Sequence, residues 1–158
     1  MYAISGGLLA IIWFMSMIGQ IITFNITLIF YLLIISTWIL KIKWWWNLDN
    51  NQSDSNLATA TGLGSFGEVR SLMPPHTSEN YLQKEMGFVI ARKHAMKLRI
   101  LSLTLGGIIP ITVLLSGTLS SILLGISLLI HLIGVFIERF LFFAEAKHVV
   151  TLYYGSNR

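Results

Sequence analysis

Two stretches of this chain, residues 1–40 and 100–137, contain no Lys, Arg, Asp or Glu. A membrane-crossing helix needs about 20 apolar residues at 1.5 Å each, so each stretch predicts a pair of helices rather than one. The first stretch is interrupted only around residues 16–20, where Gly19 and Gln20 fall, and the pattern predicts helices over 2–18 and 21–43. The second of these runs into Lys41, Lys43, Trp44, Trp45 and Trp46. Trp belongs to the bilayer interface, and Lys snorkels beside it. The second stretch predicts a helix over about 98–115, a turn at 116–118, and a last helix from 119 that continues, increasingly amphipathic, to 154. Pro110 removes one N–H from the first of these helices, so neighbouring helices must satisfy the freed carbonyl. The pattern as a whole is that of an all-α protein, a polytopic transmembrane bundle of about four membrane-spanning helices.

Three regions follow: 1–43 with two transmembrane helices; 44–78, a polar linker and Gly/Pro-rich surface segment; and 79–158, a surface helix, two transmembrane helices and an amphipathic C-terminal extension. Pro74 and Pro75 forbid a helix through that point, and Thr77 or Ser78 is placed to N-cap a new helix over about 79–99.

Composition agrees with lipid as the solvent. Mean hydropathy is +0.71 and 11% of residues are charged, against about 25% in an ordinary soluble domain. The net charge is +4. All basic residues except Arg139, Lys147 and Arg158 lie within 41–99. Lys and Arg concentrate in cytoplasmic segments beside spans, so this segment is expected in the cytoplasm, and the basic run at 92–99 reads as anchoring rather than nucleic-acid binding. The chain has no cysteine, which excludes disulfides and thiolate-bound metal clusters of its own.

Two patterns carry possible chemistry. Gly62, Gly64, Gly67 and Val69 spell G-x-G-x-x-G-x-V. The preceding residues make a poor strand and two prolines follow, so this reads as a glycine-rich surface turn rather than a nucleotide loop. The last helix is more informative. A seven-residue step drifts by only about 20° around a helix, so Ser120, Ser127, Gly134 and, beside them, His131, Glu138 and Glu145 form one polar stripe. Ionisable groups at membrane depth face a bundle interior or a watery cavity. The stripe reads either as a proton path or ligand wall, or as hydrogen-bonded helix packing with Glu138 beside Arg139. A haem on this chain is not expected, because only His131 lies within a span and a paired His ligand is missing.

Two segments resemble a known family. ATGLGSFGEVRSLMPPHTSENYLQKEMGFVIARKHAMKLR, residues 60–99, is similar to the long connecting segment of dimethyl sulfoxide reductase membrane-anchor subunits, and ERFLFFAEAKHVVTLYYG, residues 138–155, resembles their C-terminal block. The resemblance implies a multi-pass subunit of the bacterial plasma membrane, usually with eight helices, that holds a molybdopterin catalytic subunit and an iron–sulfur electron-transfer subunit. It implies menaquinol as substrate, with electrons passed to the iron–sulfur subunit in anaerobic respiration and no haem or iron–sulfur cluster on the anchor itself. With four spans instead of eight, the chain looks like the C-terminal half of such an anchor. Under this reading His76, Tyr81, Glu85, His94, His131, Glu138 and Glu145 are the candidates for quinol binding or a proton path. Arg70, Lys84, Arg92 and Lys93 are the candidates for contact with the partner subunits or lipid headgroups. The alternatives are a non-redox structural anchor or truncated fragment, and a small transporter subunit.

Overall fold

The computed structural model describes residues 1–50, 56–70, 89–117 and 120–146, and among these every regular element is helical. Helix α1 spans Tyr2–Met17, α2 Phe24–Asn50, α3 Leu57–Thr61, α4 Val89–Lys93 and α5 Ala95–Leu103. A π-helical turn, Thr104–Ile108, joins α5 to α6, Ile109–Leu115, and α7 covers Ser121–Glu145. The residues expected at 79–88 and 147–154 of predicted helices lie outside the described residues.

The ends of these helices follow from local chemistry. Past α1, Gly19 takes φ +70°, its N–H donates to Ser16 O at 3.3 Å, and the Gln20 N–H donates to Met15 O at 2.9 Å. That is a Schellman closure, which needs a left-handed residue and therefore favours glycine. Gly117, also at φ +70°, ends α6 in the same conformation. Gly62 at φ +70° closes α3, whose N-terminus is fixed by a reciprocal Asn56–Thr59 capping box. The Gly62–Gly67 stretch is an exposed turn, as the sequence pattern predicts.

Three helical stretches are long and apolar enough to cross a membrane: Phe24–Asn50, Ala95–Leu115 and Ser121–Glu145. At 1.5 Å per residue α2 is about 40 Å long and α7 about 37 Å, beyond the roughly 30 Å hydrocarbon core. Helix α1 has 16 residues, about 24 Å, and falls short of that length while packing as the fourth apolar helix. Only 28% of the most apolar window in each span is buried inside the bundle. The rest, including Phe24, Ile122 and Phe136, faces outward, which lipid favours and water does not.

Helix α7 is central. It packs against α1 on one side and against α5, the π turn and α6 on the other, while α2 packs on α1 and the π turn. The end of α2, the start of α5 and the end of α7 meet at one end of the bundle, where Arg99 reaches both Asp49 and Glu145; the start of α1 lies against the middle of α2, with Tyr2 and Trp38 stacked edge to face at 5.5 Å. The apolar core between the helices includes Leu9, Ile12, Phe30, Ile34, Trp38, Leu124 and Leu141.

The closest approach is between α7 and the π turn. A Cβ built on Gly134 would collide with the backbone of Gly106, and Cβ atoms on Gly106 or Gly107 would press into the Trp38 indole at 2.8 Å. Small residues that let backbones touch are the usual means of helix association in lipid, where no hydrophobic force draws helices together.

Candidate functional site

The polar face of α7 is built around one carbonyl. In a regular helix the amide at position 110 would donate to the carbonyl of Gly106, but proline has no N–H. The Gly106 oxygen instead accepts from two neighbouring helices: Trp38 Nε1 donates at 3.3 Å from α2, and His131 Nδ1 lies 2.7 Å away on α7. The need for outside donors, expected from Pro110 alone, is met here by named side chains. A carbonyl only accepts, so Nδ1 must carry the proton, and the neutral ring then presents a bare lone pair on Nε2. His131 is 1% exposed, and Nε2 has no hydrogen-bond partner among the described residues. It faces Gly6 of α1, where an added Cβ would stand 3.3 Å from it.

A groove of about 520 Å³ opens between α1 and α7 at this point, lined by Met1, Tyr2, Ala3, Gly6, Gly7, His131, Leu132, Val135 and Arg139. The Tyr2 hydroxyl is buried and, like Nε2, has no hydrogen-bond partner among the described residues.

Two turns further along α7 the polar face becomes charged. Glu138 is fully buried, and its Oε1 pairs with Lys41 Nζ of α2 at 2.5 Å; Lys41 is itself 8% exposed. The second Glu138 oxygen accepts from Arg139 Nε at 2.6 Å. The Lys41 ammonium also lies 3.8 Å from the centroid of the Trp44 ring, a cation–π contact that replaces part of its lost hydration. Lys41 is therefore not the snorkelling interfacial residue its place beside the tryptophans implies. Helix α2 continues through them to Asn50, so Lys41 sits within the helix rather than at its end, on the face that meets Glu138 of α7. Two turns beyond, Arg99 bridges Glu145, at 2.7 Å, and Asp49, at 2.5 Å. Lys41, Arg99 and Arg139 thus balance Asp49, Glu138 and Glu145, and the formal charges cancel. Neutrality is what a low-dielectric setting demands, because an unpaired charge there costs several kcal/mol on the order of its lost solvation.

The stripe read from the sequence is the buried face of α7: Ser127, His131, Gly134, Glu138 and Glu145 are all inside, while Ser120 is exposed. Of the other candidates, His94 is exposed at the break between α4 and α5, away from this face. Arg92 turns toward α7 and donates to the Ala144 and Ala146 carbonyls, each at 2.9 Å, capping the last turn where carbonyls lack helical partners. Lys93 is exposed. Arg70 pairs with Glu68 at 3.0 Å, both well exposed, a contact worth little in water. His76, Tyr81, Lys84 and Glu85 lie outside the described residues.

Sequence reasoning did not single out Lys41, Asp49, Arg99, Tyr2 or Trp38. One signal was present: Lys41, Trp45 and Asp49 follow at four-residue steps, one helical face, if the helix is carried through the tryptophan triplet. Among the described residues no group of three or more His, Asp or Glu stands close enough together to hold a metal ion. Compared with family models, curated proteins and solved structures, the chain matches none.

Proposed function

We propose that the chain is a membrane-anchor subunit of a dimethyl sulfoxide reductase-like complex in the bacterial plasma membrane, oxidising menaquinol and delivering electrons to an iron–sulfur subunit. The observation that carries this reading joins sequence to geometry. The two segments that resemble the family, 60–99 and 138–155, lie on either side of a helix pair in the chain, yet their described residues meet. Arg92 and Arg99 of the first bind Ala144, Glu145 and Ala146 of the second. The described parts of both that meet, 89–99 and 138–146, thus lie together at one end of the bundle, where a peripheral subunit would dock. A non-redox structural anchor is the second reading, and the ion pairs favour it for part of the site. Glu138 and Glu145, held by Lys41 and Arg99, brace the bundle end and do not stand free as proton carriers. That leaves His131 and Ser127, whose Nε2 and Oγ have no hydrogen-bond partner among the described residues, as the uncharged groups of the polar face.

Affinity purification of the tagged chain from gently solubilised native membranes tests the reading. Molybdenum and non-haem iron should elute with the chain in fixed ratio. Elution of the folded chain without either metal would refute the anchor assignment.

A further inference from the structure

We propose that the groove between α1 and α7 binds the hydroxyl end of a lipid-soluble hydroquinone, with His131 Nε2 accepting the hydrogen bond from its O–H. The first support is chemical. The Gly106 carbonyl commits Nδ1 as donor, so the other ring nitrogen of this groove-lining side chain is an acceptor alone and is satisfied only by a donor. A buried polar atom without a partner costs about 1–3 kcal/mol, and Nε2 has none among the described residues. The second support is steric. Nε2 faces Gly6, and any side chain there would begin 3.3 Å from the nitrogen and cover it. Gly7, one residue on, has open space where its Cβ would be, so the α1 wall of the groove is bare backbone at these two positions.

The third support is the lining. Ala3, Leu132 and Val135 give apolar walls, and Tyr2 and Arg139 add polar groups. Leu132 is half exposed on the outward face of a span, so the groove is open to lipid. About 520 Å³ lies within the range of small-molecule sites. An aromatic ring with a hydroxyl fits this set; a charged solute has no counter-charge near Nε2, because Glu138 and Arg139 are already paired. Naming a hydroquinone rather than another lipid-soluble phenol rests on the anchor reading above; the acceptor nitrogen and the groove do not.

The test uses the full chain in lipid nanodiscs under anaerobic conditions. Tyr2 lies against Trp38 and lines the groove, so tryptophan emission reports occupancy. Methyl-naphthohydroquinone is titrated beside its dimethyl ether, which keeps the ring and lacks both O–H donors. The chain should bind the hydroquinone about tenfold more tightly, the worth of one hydrogen bond of about 1.4 kcal/mol. His131→Phe should erase that preference. Gly7→Leu, whose Cβ has no protein atom within 4 Å, should weaken both ligands at least tenfold with thermal stability unchanged. Equal affinity for the two ligands, or an undiminished preference in His131→Phe, would overturn the proposal and leave Nε2 to a water molecule. Should His131→Phe fail to fold, an unchanged affinity in Gly7→Leu overturns it alone. Loss of binding with molybdenum and iron still co-eluting removes the site and leaves the anchor; binding without those metals does the reverse.

Discussion

At the scale of single residues, the interior is organised by shortages of hydrogen-bond partners. Pro110 frees the Gly106 carbonyl, and His131 and Trp38 supply the missing donors from two other helices. Lys41 and Glu138 form the opposite case, two buried charges paired with each other, with Arg139 on the second Glu138 oxygen and the Trp44 ring beside Lys41. Removing one partner from a buried pair costs about 3–5 kcal/mol, while replacing both with apolar residues of similar size is often neutral or better. Lys41→Met and Glu138→Leu should therefore each lower the melting temperature sharply, and the double variant should recover most of the loss. Thermal unfolding in detergent reads all three; additive losses in the double variant would show that the pair is not coupled. In this network Glu138 and Glu145 were legible, since they fall seven apart on an apolar helix, while Asp49 was not. Nor was its basic half. Lys41 beside three tryptophans has the composition of an interfacial anchor, and only its place within α2, on the face that meets Glu138 of α7, reveals that it points inward.

At the scale of elements, the helix boundaries near glycine were readable because a left-handed closure needs that residue, as at Gly19 and Gly117. The π turn at Thr104–Ile108 had no comparable mark. Gly106, Gly107 and Pro110 announce an irregularity, but a kink and a π turn share that composition, and the packing of α7 selects between them. Gly134 is the deciding contact, since nothing larger fits against Gly106. Gly134→Leu should push α7 away from the π turn and cost at least roughly 1–3 kcal/mol, the usual range for overpacking. It should also release Trp38 from the Gly106 carbonyl. A shift in Trp38 emission, read in a background with the other tryptophans replaced, accompanies the loss of stability if the packing is as described. A variant of wild-type stability and emission contradicts it.

At the scale of the whole molecule, the helices present apolar surface to lipid and gather their charge at one end, where the polar segment 41–99 also begins and ends. The excess of Lys and Arg there predicts that this end faces the cytoplasm. The chain has no cysteine, so single introduced thiols give an unambiguous readout. Ser65→Cys should react with a membrane-impermeant maleimide only in inside-out vesicles, and Gln20→Cys only in right-side-out ones; the opposite pattern inverts the topology. The fold class and the buried stripe were visible because lipid imposes a long apolar period on the chain. The groove was not, because it depends on which helix lies against Gly6 and Gly7, a tertiary fact with no local pattern. The proposed link from quinol through this chain to a molybdenum enzyme is tested by dimethyl sulfoxide reduction in membranes from cells with and without the chain, driven either by a menaquinol analogue or by an artificial soluble donor. Loss of the quinol-driven rate with the soluble-donor activity retained is the predicted result; an unchanged quinol-driven rate without the chain would contradict it.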